Sequence, residues 1–436
     1  MLLTESKIIK NKKIFKLIDK YSYQAKNLYN ACNYIIKQSS RISYKLSKEE
    51  TLEEWEQDFI DNLNNAINEY NQSGKKEKNL KEITKENGYI ADSYFLSWYL
   101  KDSKEYKEMP YSTCSQIVIQ ILCRNWKSYY KAIKDYSKNS SKYLGRPKSP
   151  RYLDKEKGRT WLILTNQNIK VQNGKIYLPK VFGNIVIKTN KENIQQVRLI
   201  TRNGKTLIEI IYKIEGVTPK ENNGTYMSID LGLNNLATIT FNTKATPLII
   251  NGKPLKSINQ YYNKKLAILR SKDESIKYQT KAMCRLTERR NNKVKDYMHK
   301  ASRKIVELAE NNGITTIIVG KNDGWKQEIE LGKKTNQNFV GIPFEMLIQQ
   351  IEYKANLKGI LVVKQEERYT SGTSYVDGEL PNKDNYDKSR RKHRGLFITK
   401  SGIEINADVN GSYQIMRKVI SLEYKGYERV ERIKVA

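Results

Sequence analysis

The chain has 436 residues, in which 79 Lys and Arg face 47 Asp and Glu for a formal net charge of +32 at pH 7. An excess of that size repels itself unless a polyanion is bound, so nucleic acid is the expected partner. No apolar run approaches the ~18 residues a bilayer span needs, and the start MLLTESKIIKNKKIFK lacks the apolar core of a signal peptide, so a cytoplasmic protein with no membrane attachment is expected.

The length exceeds what one hydrophobic core usually supports, which predicts two or three domains. Cys32, Cys114, Cys123 and Cys284 are scattered without a CxxC pair and read as buried thiols.

In chain order, residues 1–20 read as a strand that completes a β domain further along. Leu28, Tyr29, Cys32, Ile35 and Ile36 then recur at helical spacing, and helices continue to about residue 135, giving a helical domain over 21–150. Between Lys131 and Arg159 lie ten Lys and Arg, with Gly145 and Pro147 turning helix into an extended basic segment. Trp126, Tyr129 and Tyr130 read as packing residues, with base stacking as the alternative. Residues 151–224 carry β-branched runs joined by Asn-Gly pairs at 173–174 and 203–204, the signature of tight hairpins in a small β domain.

From residue 225 the pattern becomes mixed α/β. It runs MSIDLGLNNLATITF, a short strand at PLIING, basic helices over 257–312, the strand ITTIIVG, a helix from Pro343 to near Gly359, the strand ILVVKQ and a last helix around NGSYQIMRKVI. Three antiparallel strands followed by alternating helices and strands is the order of an RNase H-like fold. The fold class expected for the whole chain is therefore multidomain α+β, with an RNase H-like nuclease domain over 225–436.

Asp230 falls on a hairpin strand, where a lone buried carboxylate is costly unless paired or metal-bound. Asp408 opens the last helix, either as a metal ligand favoured by the helix dipole or as a simple N-cap. Together they fit phosphodiester cleavage by divalent metal, which needs two or three converging carboxylates.

MSIDLGLNNLAT and NADVNGSYQIMRK resemble the first and third RuvC motifs of TnpB (OrfB) proteins, the RNA-guided nucleases of insertion sequences related to compact type V CRISPR effectors. The resemblance extends through NWKSYYKAIKDYSKNSSKYLGRPKSPRY, DYMHKASRKIV and NQNFVGIPFEMLIQQIEYKANLKGI, and so covers most of the chain. It implies a helical recognition domain, a wedge-like small β-barrel and a RuvC nuclease domain. It also implies Mg2+ or Mn2+ as cofactor, with a guide RNA and double-stranded target DNA as partners.

The chain departs from the family in two places. The second RuvC motif normally ends its strand in Glu, whereas TTIIVGKNDGW has Gly320 there. A relocated carboxylate is expected from the next strand's end, Glu366 or Glu367, with Glu366 preferred as metal ligand beside Asp230 and Asp408, and Asp323 as a further rival. Strand alternation allows only one of the two adjacent glutamates to reach the site. Many family members also bind zinc through cysteines in the region matching 369–406, which here has none, so no zinc is expected. Lys388, Arg390, Arg391, Lys392 and Arg394 in that insertion read as phosphate contacts or a solvated loop.

Candidate nucleic-acid contacts are Lys142, Arg146, Lys148 and Arg151 in the basic segment and Arg285, Arg289, Arg290 and Arg303 on the basic helix. The functional alternatives are an RNA-guided binder with an impaired nuclease acting as repressor, a transposase that joins DNA ends itself, or a compact CRISPR effector.

Overall fold

The computed structural model describes residues 1–74, 79–271, 280–322, 341–393, 395–423, 426–427, 429–433 and 435. Asp323 and Arg394 lie outside the described residues. The chain divides into two compact units, Met1–Ile214 and Glu215–Ala436.

The first unit begins with β1 (Leu2–Ile9) and then α1 (Lys12–Ser47), α2 (Glu54–Gln72), α3 (Ser93–Leu100), α4 (Lys104–Lys107) and α5 (Ser112–Lys138). The strand expected over 1–20 stops at Ile9 because Asn11 caps α1, its Oδ1 accepting from the backbone N–H of Lys13 and Ile14. The β portion comprises β2 (Leu162–Thr165), β3 (Lys170–Gln172), β4 (Lys175–Tyr177), β5 (Val186–Lys188), β6 (Ile194–Arg202) and β7 (Lys205–Lys213).

Both Asn-Gly pairs turn as the sequence predicts, with φ of 49° and 66° at Asn173 and Gly174 and 51° and 74° at Asn203 and Gly204. The expected barrel is not closed. The strands form a four-stranded antiparallel sheet in the order β1-β7-β6-β2 and a separate three-stranded sheet, β3-β4-β5. The helical and β segments are also not separate bodies. One core runs through Leu28, Ile36, Leu63 and Phe95 of the helices and Leu164, Val197, Ile208 and Ile210 of the strands, because β1 carries the chain start to β7 along its full length. Trp126 is buried in this core, donating its indole N–H to Asn33 at 2.8 Å, and Tyr130 stacks on Tyr89, so these aromatics pack against protein.

The second unit contains β8 (Tyr226–Leu231), β9 (Asn235–Phe241), β10 (Leu248–Asn251), α6 (Lys253–Ser271), α7 (Lys281–Asn311), β11 (Thr316–Gly320), α8 (Phe344–Asn356), β12 (Leu361–Gln365), β13 (Leu396–Ile398), β14 (Glu404–Asn406), α9 (Ala407–Arg417) and β15 (Glu431–Ile433). Its six-stranded sheet has the order β12-β11-β8-β9-β10-β15. The β8-β9-β10 meander is antiparallel, while β11 runs parallel to β8 and β12 parallel to β11. The edge strand β15, parallel to β10, was absent from the sequence reading.

Strand alternation divides the sheet into two faces. Ile229, Ile317 and Val319 enter the core formed with α7 and α8, where Met298, Ile305, Leu347 and Ile351 are fully buried. Ile318 points the other way, onto Ile415 and Met416 of α9. No helix among the described residues is long and apolar enough to cross a membrane.

Candidate active site

Asp230 lies on β8 opposite Thr238 of β9. One residue from Ile229, it faces away from the main core and toward α9, where its Oδ2 lies 3.1 Å from the position a Cβ on Gly411 would take. Burial raises the Asp230 pKa, the negative charge of Asp408 raises it further, and Arg391 opposes both.

Asp408 sits in the first turn of α9, but it is not the N-cap. Asn406 caps the helix, accepting from the N–H of Asp408 and Val409 at 3.0 and 3.1 Å. The Asp408 carboxylate is thereby left for other partners: Arg391 donates to Oδ1 at 2.8 Å and Asn235 to Oδ2 at 2.7 Å. Asp230 and Asp408 line one cavity of ≈ 500 Å³ together with Asn235, Lys253, Arg391 and Arg432.

The parallel register pairs Ile318 with Ser228 and Val319 with Ile229, so Gly320 follows in line with Asp230 on the α9 face. A Cβ at Gly320 would lie 2.2 Å from Oε1 of Glu367 and 2.8 Å from its Cγ. The carboxyl of Glu367 therefore fills the volume a side chain at 320 would need. Asn322 fixes the approach, its Oδ1 accepting from the backbone N–H of Glu367 at 3.0 Å. Oε1 of Glu367 is buried and has no hydrogen-bond partner. Burial raises the Glu367 pKa, the charge of Asp230 adds to the rise, and Lys418 opposes it.

Glu366, preferred from the sequence as metal ligand, is placed elsewhere. Glu366 is exposed and lines a different cleft with Lys321, Asn322, Lys364 and Arg368. Alternation admits one of the two adjacent glutamates, and the space beside Gly320 admits Glu367. Among the described residues, no three His, Cys, Asp or Glu side chains already form a metal-binding cluster. Asp230 instead stands between the charges of Asp408 and Glu367, which both act on it or are acted on by it.

The basic cluster of the insertion also divides. Arg390 is buried rather than free, bound to Glu379 at 2.8 Å and facing Asp377 and Asp387 at 3.9 and 3.8 Å. Lys400 pairs with the same Glu379 at 2.8 Å, and the N–H of Ser374 donates to it at 2.8 Å. Arg391 is drawn onto Asp408, whereas Lys388 and Lys392 are exposed.

Of the eight predicted nucleic-acid contacts, Arg146, Lys148, Arg151, Arg285 and Arg289 are exposed. Lys142 is exposed and faces Asp135 at 3.8 Å, and Arg303 pairs with Glu307 at 2.7 Å. Arg290 is half-buried and engaged within the protein: it donates to Asn259 at 2.8 Å, to Asn291 at 3.0 Å and to the Gly341 carbonyl, and ties α6 and the segment before α8 to α7. Sequence reasoning missed the roles of Asn235, Arg391 and Asn322. Only Asn235, inside the LGLNN turn after Asp230, carried a signal in its position.

Residues 209–326 match the family OrfB_IS605, described as a probable transposase, and residues 344–415 match a Cas12f1-like TNB domain. A CRISPR-associated endodeoxyribonuclease Cas12f2 of Micrarchaeota archaeon (strain CG1_02_47_40) is 27% identical over 270 residues, which cover 58% of this chain and 48% of the relative. The match thus spans about half the length of that curated protein.

Among solved structures, a Cas12f1-sgRNA-target DNA complex aligns over 96% of this chain and 100% of its own, with TM-score 0.38 and 15% identity. A CRISPR-Cas12f ternary complex aligns over 90% of this chain and 81% of its own, with TM-score 0.37 and 13% identity. The resemblance read from the two signature motifs is borne out by the family matches: stretches of the chain are similar to OrfB_IS605 probable transposases, to a Cas12f1-like TNB domain and to a Cas12f2 endodeoxyribonuclease.

Proposed function

We propose that this protein is an RNA-guided DNA endonuclease with a RuvC-like site formed by Asp230, Asp408 and Glu367. The observation that carries the reading is the carboxyl of Glu367 in the space left by Gly320, on the face of the sheet that bears Asp230. The strand order, an antiparallel meander extended by two parallel strands, supports an RNase H-like nuclease core. The kinship with an endodeoxyribonuclease supports DNA as substrate, and the net charge of +32 supports a nucleic-acid complex.

The donor set suits Mg2+ or Mn2+, since all three groups are hard carboxylate oxygens and one buried oxygen of Glu367 has no partner. Asp230, Asp408 and Glu367 would hold the metal, which when bound lowers the pKa of the attacking water and stabilises the leaving oxygen. Neutralisation by a cation removes the cost of keeping these carboxyls ionised in a buried site. Asn235 and Asn322 orient Asp408 and Glu367, and Arg391 places a positive charge beside Asp408. Sequence specificity in this scheme comes from pairing between guide and target, with the protein gripping the heteroduplex by its backbone next to a short flanking motif.

The test is to purify the protein, sequence the RNA that accompanies it and assay cutting of matching DNA with Mg2+. Asp230→Asn, Asp408→Asn and Glu367→Gln are expected to lower cutting by on the order of 10²-fold or more, and Glu366→Gln to retain it. Guided binding without cutting by the unaltered protein would replace this reading with that of a repressor. Absence of any specific RNA would overturn guidance altogether.

A further inference from the structure

Asp19, Ser22, Lys26, Asn30 and Asn33 follow one another on α1 at intervals of three or four residues and so occupy one face of the helix. Ser22, Lys26 and Asn33 are buried, at 0%, 2% and 0% exposure. Buried polar groups are costly without partners; Lys26 and Asn33 find theirs in the extended segment 150–160, whereas the Ser22 hydroxyl has none among the described residues and Ser22 meets the segment through its backbone carbonyl. Asn33 donates to the Pro150 carbonyl at 3.3 Å, and Asn30 both donates to the Leu153 carbonyl and accepts from the Leu153 N–H, each at 2.9 Å. Lys26 donates to the Lys155 carbonyl at 2.7 Å, and the Thr160 N–H donates to the Ser22 carbonyl at 3.2 Å. Asp19 receives Arg159 through Nε at 2.9 Å and Nη2 at 3.0 Å. The segment is neither helix nor strand, yet side chains of α1 hold its backbone as a cleft holds a bound peptide.

This strapping divides the basic residues into two groups. Lys26 and Arg159 are used within the protein to hold the strap. Arg146, Lys148 and Arg151 are exposed and make no ion pair or hydrogen bond among the described residues. Pro147 and Pro150 keep this stretch extended, and two residues of extended chain span roughly 6.6–7 Å, comparable with the stride from one phosphate to the next along a strand. Unpaired cations on a backbone that is already fixed pay little further ordering entropy when they meet a polyanion.

We propose that Arg146, Lys148 and Arg151 form a preorganised clamp for the sugar-phosphate backbone of a nucleic-acid duplex, with Asn30 and Asn33 as its positioning residues. The inference rests on the nucleic-acid reading above in one respect, the identity of the polyanion. The polar stripe on α1 sets the register of the clamp, and the three cations supply its charge.

The test uses the full-length protein, a short fluorescein-labelled DNA duplex and an RNA duplex of the same sequence, with binding followed across a salt titration. The triple variant Arg146→Ala, Lys148→Ala, Arg151→Ala is expected to keep its Tm and to lose about 10- to 100-fold in affinity, with the slope of log K against log salt shallower by about 2–3. Asn30→Ala keeps all the charge, so it is expected to lose affinity by roughly 3- to 10-fold at an unchanged slope, the signature of lost preorganisation. Which of the two duplexes shows the effect identifies the natural ligand.

Unaltered affinity and slope in the triple variant, with the parent protein binding either duplex, would overturn the clamp and leave the proposed function standing. A lower Tm without any loss of affinity in Asn30→Ala would overturn the positioning role. Failure of the parent protein to bind either duplex would count against the nucleic-acid reading itself.

Discussion

Two glutamates, one in each unit, have buried carboxyls and opposite electrostatics. Glu56, in the helical unit, is fully buried and receives Lys45 at 2.6 Å, the backbone N–H of Glu53 at 3.1 Å and the Arg41 guanidinium at 3.4 Å. The hydrogen bond from Lys45 leads in pulling its pKa down, against the cost of burial. Glu367, in the sheet unit, makes no ion pair among the described residues and has the charge of Asp230 nearby, and its pKa is raised, with burial as the leading cause. Glu379 resembles Glu56, since Arg390 and Lys400 hold it and its pKa is lowered despite burial. A carboxylate supplied with internal cations is a structural element. One left without them beside a second carboxylate must take up a proton or an external cation.

The largest expected effect is on catalysis. Glu367→Gln should lower DNA cutting by on the order of 10²–10³, as loss of one charge-bearing catalytic group does. The same substitution should raise the Tm of the metal-free protein at neutral pH, because the Glu367 pKa is pushed up to about 9 and folding must hold that carboxyl protonated, a cost that glutamine does not carry. A fall in Tm measured without metal would break the contrast with Glu56.

Gly320→Glu sharpens the comparison further. Alone, its side chain would collide with the Glu367 carboxyl and Ile415, at a cost of about 1–3 kcal/mol from overpacking, readable in denaturant melts. Combined with Glu367→Gly, it returns a carboxyl to the family's usual place and should recover measurable cutting over Glu367→Gly alone. No recovery would show that the two positions do not address the same site.

For Glu56→Gln the stability change should have the opposite sign, a lower Tm at neutral pH with no loss of catalytic chemistry. Because the folded-state pKa of Glu56 is lowered, its contribution is present above the unfolded carboxylate pKa and disappears as pH falls through the folded value. The Tm difference between parent and variant should therefore shrink on acidification, and a difference that widened at low pH would contradict the ion-pair account.

The smallest effects concern the basic helix. Arg290→Ala should cost about 1–3 kcal/mol of stability through its lost hydrogen bonds to Asn259 and Gly341. Arg285→Ala and Arg289→Ala should stay within about 0.5 kcal/mol and act on nucleic-acid affinity instead. Equal stability losses at all three would erase the distinction between structural and binding arginines.

Much of the fold was legible because its signals are local. The two Asn-Gly turns, the helical stripe around Leu28 and Ile36, and the strand segments bearing Asp230 and Gly320 each depend on neighbours within a few residues. The polar stripe Asp19, Ser22, Lys26, Asn30 and Asn33 was not legible. Its partners lie more than a hundred residues away, and alone such residues look like an ordinary wet helix face. The open sheet in place of a barrel escaped for the same reason, since strand pairing at the edges has no local signature.

The sequence by itself determined that Asp230 and Asp408 stand in motifs resembling those of RuvC-type nucleases, that Gly320 stands where those motifs usually carry a glutamate, and that adjacent glutamates on a strand cannot share one face. Only the tertiary structure decided that Glu367 rather than Glu366 turns toward Asp230. That choice depends on the register of β11 against β8 and β12 and on the empty volume above a glycine. Neither residue's own neighbours carry that information, because a side chain's face is set by its strand's alternation while its target is set by the strand beside it.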